Sequence, residues 1–474
     1  VRPFTGLSIL FFLLQGIVFN LNGQTIYPPE NKAMNSRIIH LDAGEKVKKG
    51  NYYFLIWEKG DTSTIKTIKS NSGKVKIPFL LDFGKSYEWQ FLNKKQLSES
   101  QKYPIHNFSV LYNQRIDTNF FRHRVVQRKQ GYKMPGAFML DFVGVAVNDD
   151  GEPVWIVPDT TLHHFKNLQA YKDGTVAYYT SLNGGNSRNN LLFRHISRDG
   201  QLLWEAPDDG KISENTIENY HHDYIITSDS TYMLVGNTYL LAPVPGQTDI
   251  TYRIDCGSII EYDKNKNIVW SWKSADYLKI VDLQFGGPNP NPSHLNGIWL
   301  DEKRSLMLVS FRFINRIILL DKKSGKVLDS WGSKYPSGEA RTGDSLFIGQ
   351  HSPKFLNDST MILYNNSAGR GNDSISNVSI FRIPLNTSDS IRLIWKKNLW
   401  FGNQRESFSL TKGDVDILPD GNYLANMGDV PRTLVISPEG EILLEIRHEM
   451  KTPGNPWMWI SENYRVGWFD PAWW

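Results

Sequence analysis

The chain has 474 residues, a formal net charge of +4 and 13% aromatic residues, among them 15 Trp. That length exceeds one ordinary core and asks for two domains, or a large repeat array with an appendage. Charged residues at 22% and hydrophobic ones at 40% exclude a wholly disordered or membrane-embedded chain. No Lys/Arg block breaks the even spread of charge, which argues against nucleic acid or acidic lipid as a partner and leaves room for a small anionic ligand.

Leu7 to Leu21 is apolar apart from Ser8, Gln15 and Asn20, with Arg2 before it and Asn22-Gly23-Gln24 after it. It is short for a spanning helix and reads as the apolar region of a signal peptide covering residues 1–23, so a periplasmic or secreted location is expected, with no membrane association after cleavage. The single Cys256 forms no intrachain disulfide, so stability must come from packing. Residues 24–125 contain short alternating runs, Tyr52 to Trp57 and Val75 to Phe79 among them, separated by turn clusters such as Glu58-Lys59-Gly60-Asp61. This predicts an N-terminal immunoglobulin-like β-sandwich, with its boundary in the basic stretch from Arg122 to Lys133.

Within a second domain of residues 126–474, the sequence from about 135 to 450 repeats with a period near 55 to 70 residues and shows no long helical periodicity. One half of the repeat is a turn followed by an apolar strand that usually ends in Trp: Trp155, Trp204, Trp270 and Trp331, with Leu444 in the last copy. The other half is an Asp-containing turn and a strand, at Asp173, Asp229, Asp358 and Asp420. Short strands at this period predict an all-β, six-bladed β-propeller.

The turn aspartates serve as a ruler. Seven residues before each of them stand Lys166, His222, His294, His351 and Gly413, where Asp301 supplies the turn for His294. Three imidazoles therefore share one address in three successive blades. If the strand before the turn is the innermost of its blade, they converge at the mouth of a central channel. The register selects His222 over His221, although a one-residue bulge reverses that choice. Arg312 lies on the strand after the His294 strand and is expected beside that histidine, with Arg316 further along the same face. Asn296, two residues after His294, and Lys166 are candidate substrate-binding residues.

Neutral imidazoles beside one guanidinium suit a tetrahedral oxyanion, which Arg binds through paired N–H donors. Desolvation and the fixed positive charge lower the histidine pKa values and keep a nucleophilic nitrogen free near neutrality. The order His294-Leu-Asn296, Ser310-Phe-Arg312, Trp331-Gly332, Gln350-His351 and Asn365-Asn366 resembles the motif series of bacterial aryl-sulfate sulfotransferases, over roughly residues 130 to 470. The resemblance implies an exported propeller enzyme with an N-terminal sandwich that moves a sulfuryl group from an aryl sulfate to a phenolic acceptor without a nucleotide donor, cofactor or metal. It implies that His351 becomes a sulfohistidine in a ping-pong cycle. His222, His294 and Arg312 would hold the sulfuryl oxygens, and one of the two histidines would protonate the leaving phenolate. A homodimer is compatible with it.

Two other readings are open at this level. Three histidines with Gln350 could ligate a divalent metal in a propeller-borne uronate lyase, with Arg312 as substrate clamp. A non-catalytic propeller that binds a glycan or a partner is the other. The tail aromatics Trp457, Trp459, Trp468, Phe469, Trp473 and Trp474 are expected either to line an aryl pocket or to close the fold.

Overall fold

A computed structural model of the chain describes residues 26–44, 47–158, 165–181, 191–214, 218–244, 247–280, 283, 292–332, 346–368, 374–384, 390–451, 456–460 and 463–470. The expected signal segment, His163-His164, and Trp473 and Trp474 lie outside these residues. The chain is all-β and divides into two compact units, one of Val1–Met34 with Ile39–Val110 and one of Asn35–Ile38 with Leu111–Trp474.

In the first unit a five-stranded sheet runs in the order Lys32–Met34, His106–Val110, Ser86–Asn93, Tyr52–Glu58, Asp61–Ser70, and a second sheet pairs His40–Asp42 with Lys74–Lys76. The two sheets share one core, in which Leu41 meets Phe54, Trp89 and Phe108. The alternation read along Tyr52 to Trp57 is the reason: successive side chains point to opposite faces, and one face is buried.

The second unit contains six sheets in chain order among the described residues. The first joins Ala137–Leu140, Val145–Val147 and Pro153–Ile156 to the C-terminal strand Val466–Phe469. The second holds Phe165–Ala170, Thr175–Thr180, Leu192–Ser197 and Leu202–Glu205; the third, Tyr224–Ile226, Tyr232–Val244, Gln247–Tyr262 and Ile268–Lys273. The fourth holds Leu295–Asp301, Leu306–Phe311, Arg316–Asp321 and Lys326–Gly332; the fifth, His351–Asn357, Thr360–Asn365, Asn377–Arg382 and Arg392–Asn398. The sixth runs Asp414–Ile417, Tyr423–Asn426, Arg432–Ile436, Ile442–Lys451 and Trp457–Trp459. The strand Phe121–Arg128, which overlaps the boundary stretch read from the sequence, pairs with Ile442–Lys451 and so belongs to this sixth sheet.

Each Trp-bearing run is the last strand of its repeat, and each turn aspartate joins the first strand to the second. Second strands are buried on both faces, as in Thr360–Asn365, whereas last strands such as Arg392–Asn398 are largely exposed. The buried faces explain the unbroken apolar runs of the second strands, because neighbouring sheets pack on both sides. Tyr179 and Trp204 of the second sheet meet Tyr224 and Tyr262 of the third; Met233 meets Met307; Leu308 and Trp331 meet Leu363; Ile362 and Val378 meet Val415. The tail aromatics Trp468 and Phe469 lie in the strand that completes the first sheet, where the Trp468 indole N–H donates to the Pro135 carbonyl.

Candidate functional site

The shared address lies where each first strand begins, and there the backbone turns left-handed. His222 (φ +63°) and His294 (φ +54°) adopt this conformation themselves. In the second and fifth repeats it falls on a neighbour, Asn167 after Lys166 and Ser352 after His351, and in the sixth on both Lys412 and Gly413. A non-glycine residue there costs about 1–2 kcal/mol, and such strain persists only where the surroundings over-determine it. At Gly413 a Cβ would come within 2.3 Å of the Tyr364 ring, so the sixth repeat has no room for a fourth imidazole.

The three registered histidines do come together. The His222 and His294 rings are 4.6 Å apart, edge to face, and the Tyr464 ring lies 5.5 Å from His222 and 6.2 Å from His351. His222 is the member facing the group, while His221 stands behind it, its Nδ1 2.6 Å from His222 Nδ1 and its Nε2 2.8 Å from Asn237 Oδ1. Because Asn237 Oδ1 only accepts, it takes the His221 Nε2–H; His221 Nδ1 then accepts from His222 Nδ1–H, which leaves His222 Nε2 bare. His351 is fixed in the same tautomer. Its Nδ1 lies 2.7 Å from Asn366 Oδ1 and 3.0 Å from the Gly349 carbonyl, two acceptors, so Nδ1 carries the proton and Nε2 the lone pair.

Burial and the Arg312 charge push the His351 pKa down to about 3. Loss of solvent, with the charges of the other imidazoles and of Lys166, holds His222 well below the ordinary histidine range, and His294 is lowered by desolvation, Arg312, His221 and His351. All three are neutral at pH 7.

Arg312 is beside His294 as expected, but not within a strand. Its strand ends at Phe311, and Arg312 opens the turn to Arg316–Asp321, with its backbone N–H bonded to the His294 carbonyl at 2.9 Å. Its guanidinium donates from Nη2 to the Leu410 carbonyl at 2.8 Å and lies over the Phe313 ring, while its buried Nε has no hydrogen-bond partner. An orphaned buried donor beside three neutral imidazoles is what an oxyanion would satisfy. Arg316 does not continue that face: it begins the next strand, pairs with Phe311 and donates to Ser330 Oγ.

Only the Nδ2 half of the Asn296 amide is committed, while its buried Oδ1 has no hydrogen-bond partner. Its Nδ2 donates to the Gln350 carbonyl at 2.7 Å, tying the fourth sheet to the residue before His351. The Gln350 amide itself donates to Ser310 Oγ and to the carbonyls of Phe311 and Arg316, all at 3.1 Å. Among the described residues, no three His, Cys, Asp or Glu side chains are grouped so as to hold a metal ion. Lys166 is the second residue of the first strand of the second sheet, and its charge reaches His221 and His222.

Sequence reasoning missed the ionic floor under the histidines. Arg465 donates to Asp223 Oδ2 at 2.9 Å and to Asp414 Oδ1 at 3.3 Å, with all three side chains buried. Asp223 and Asp414 stand one residue past the register positions His222 and Gly413, and Ser352, one past His351, donates its hydroxyl to Asp414. The ruler contained this signal, since its next residue is polar in four of the five repeats: Asn167, Asp223, Ser352 and Asp414.

Residues 140–453 match the family model described as Arylsulfotransferase (ASST). The chain belongs to the arylsulfotransferase family. No curated protein matches it. Among solved structures it is similar to a protein of unknown function from Bacteroides caccae, at 14% identity and TM-score 0.38 over 69% of this chain and 93% of that one. A streptogramin B lyase aligns at 11% identity and TM-score 0.32 over 70% of this chain and 74% of its own, and virginiamycin B lyase from Staphylococcus aureus with quinupristin at 14% and 0.30 over 71% and 75%. For an arylsulfotransferase-family chain, the motif order His294, Arg312, Gln350-His351 and Asn365-Asn366 read from the sequence falls within the matched span.

Proposed function

We propose that this protein transfers a sulfuryl group from an aryl sulfate ester to a phenolic acceptor, with His351 as the nucleophile, on a closed six-bladed propeller whose funnel holds the three histidines. The observation that carries the reading is the fixed tautomer of His351: a buried imidazole with its proton on Nδ1, a bare Nε2, and Arg312 beside it.

In the first half-reaction the Nε2 lone pair attacks sulfur, the sulfur–aryl oxygen bond breaks, and the phenolate leaves as Nε2 becomes sulfurylated. Like phosphoryl transfer, this passes through a loose transition state with charge on peripheral oxygens, which Arg312 is placed to receive. In the second half-reaction an acceptor phenol attacks the sulfur and restores His351, giving ping-pong kinetics. The tautomers refine the proton bookkeeping. A neutral His222 has no N–H to offer at Nε2, so it holds a sulfuryl oxygen only when protonated; its bare Nε2 takes the acceptor's phenolic proton and returns it to the next leaving phenolate. His221 and Asn237 hold it in that tautomer.

Protein quenched during turnover with 4-nitrophenyl sulfate is expected to carry one sulfuryl adduct, on His351, by mass spectrometry. No adduct, together with a His351→Ala variant that still transfers, would overturn the reading.

A further inference from the structure

The turn before the sixth sheet, residues Ser409 to Gly413, touches both ends of the proposed chemistry. The Leu410 carbonyl accepts from Arg312 Nη2 at 2.8 Å. The Ser409 and Lys412 carbonyls accept from Asn366 Nδ2 at 2.9 and 3.0 Å, and Asn366 is the residue whose Oδ1 holds His351 Nδ1. Three carbonyls of one turn therefore set the guanidinium and, through one amide, the imidazole.

The turn has no regular ladder to hold it. Asp429 holds it from one side and Ser376, whose Oγ accepts the Ser409 N–H at 2.9 Å, from another: the Asp429 carboxylate accepts from the Thr411 backbone N–H at 2.6 Å, from the Thr411 hydroxyl at 2.9 Å and from Lys412 Nζ at 3.2 Å, and its own N–H donates to Ser409 Oγ at 3.0 Å. Gly428, next in the chain, lets the two segments close up. It has a left-handed φ of +63°, and a Cβ there would come within 2.7 Å of the Thr411 carbonyl and 2.8 Å of the Gly413 nitrogen. A hydrogen-bonded carboxylate on one side and a missing Cβ on the other fix the turn from both directions.

We infer that Asp429 is a positioning residue for sulfuryl transfer, which sets Arg312 and the Asn366–His351 pair in register through the Ser409–Gly413 turn. It touches no reacting atom; its effect reaches the site through three backbone carbonyls. The inference rests on the proposed role of His351, but the contacts that carry it do not. Supporting groups that orient a reactive imidazole typically cost 10–100-fold when removed in metal sites, so a loss of about that size is expected here.

The test uses the full chain with histidine selectively labelled with ¹⁵N. In the wild type, the His351 signals, assigned by their loss in a His351→Gln variant, are expected to report a single Nδ1–H tautomer. Asp429→Ala should shift them towards a tautomer mixture and lower the pre-steady-state burst of 4-nitrophenol about 10- to 100-fold. Asp429→Asn, which keeps an acceptor for the Thr411 N–H, should lose less. Should Asp429→Ala fail to fold, Thr411→Val removes only the hydroxyl contacts and should move the same signals in the same direction. A purely structural role would lower the melting temperature and leave the His351 signals and the burst rate per folded molecule unchanged, and that result overturns the inference. The tautomer readout needs no substrate. A wild type that forms no sulfuryl adduct would therefore refute the transferase reading while Asp429 is still judged by the imidazole spectrum.

Discussion

His351 Nδ1 lies 2.7 Å from Asn366 Oδ1, and this contact decides which nitrogen of the imidazole is left bare. The Asn366 amide is not free to rotate, because its Nδ2 already donates to the Ser409 and Lys412 carbonyls, and a flip would set two acceptors against an oxygen and a donor against the imidazole N–H. A neutral asparagine orients the ring without adding a charge that would raise its pKa, which suits a nucleophile that must stay unprotonated.

Asn366→Ala should therefore cost more in rate than in stability. With the tautomer unfixed, Nε2 carries the proton in part of the population, and the ring loses its orientation. Wrong-tautomer effects at catalytic histidines reach about 10⁴-fold; the Gly349 carbonyl remains as a second acceptor, so about 10²-fold in kcat is expected. Stopped-flow release of 4-nitrophenol measures it, and thermal unfolding of the same variant reports its effect on stability.

Arg312→Lys should not rescue Arg312→Ala. The guanidinium spends Nη2 on Leu410 and packs over Phe313 while its Nε is unpartnered, an arrangement that needs a planar fork. Removal of one oxyanion donor costs about 10²–10³-fold, and both variants should fall in that range in kcat/KM, with the lysine within about a few-fold of the alanine. Recovery to near wild-type rate by lysine would mean that only the charge matters.

Much of this site was legible because the repeat supplies a ruler. A fixed interval from each turn aspartate found three histidines that meet in space, and the same periodicity marked the Trp-bearing runs, which form the last strands of their repeats. Arg312 was found through its spacing from His294, although its placement in a turn depended on where the strand ends, the least certain part of any such reading. Arg465 and Asp223 were not found, since a contact between residues 242 apart leaves no local pattern. Asn296 was legible as a residue near the site but not in its role, because a side-chain amide goes to whichever carbonyl the neighbouring sheet presents.

Arg465→Met should separate folding from chemistry. The guanidinium is buried between Asp223 and Asp414, and its loss leaves two carboxylates without their shared cation. Breaking a buried pair by removing one partner costs about 3–5 kcal/mol, measurable as a lower urea midpoint. Asp223 also receives the Ile298 N–H and the Asn167 amide. Asp223→Asn in the same background, which removes one stranded charge, should regain part of that loss.

Acidification should destabilise the protein well before its carboxylates titrate in bulk. His123 and His221 are pushed down to about 4 and His351 to about 3 by burial, and His195, His222, His294 and His448 are lowered as well. In the unfolded chain a histidine protonates near about 6.5. Between that value and the depressed native ones, the unfolded state binds more protons, so stability is full above about pH 6.5 and falls as pH drops. Burial raises Asp141 and Asp255 to about 6, with Asp223 and Glu218 also raised, and these groups act in the opposite direction over an overlapping window. Among the described residues seven lowered histidines outnumber four raised carboxyls, so the net slope follows the histidines. Melting temperature measured from pH 7.5 to 4.5 should decline throughout, and His123→Phe with His448→Leu, which replaces the facing imidazoles of the sixth sheet by apolar groups, should flatten the decline. A melting temperature that rises on acidification would mean that the buried carboxyls dominate.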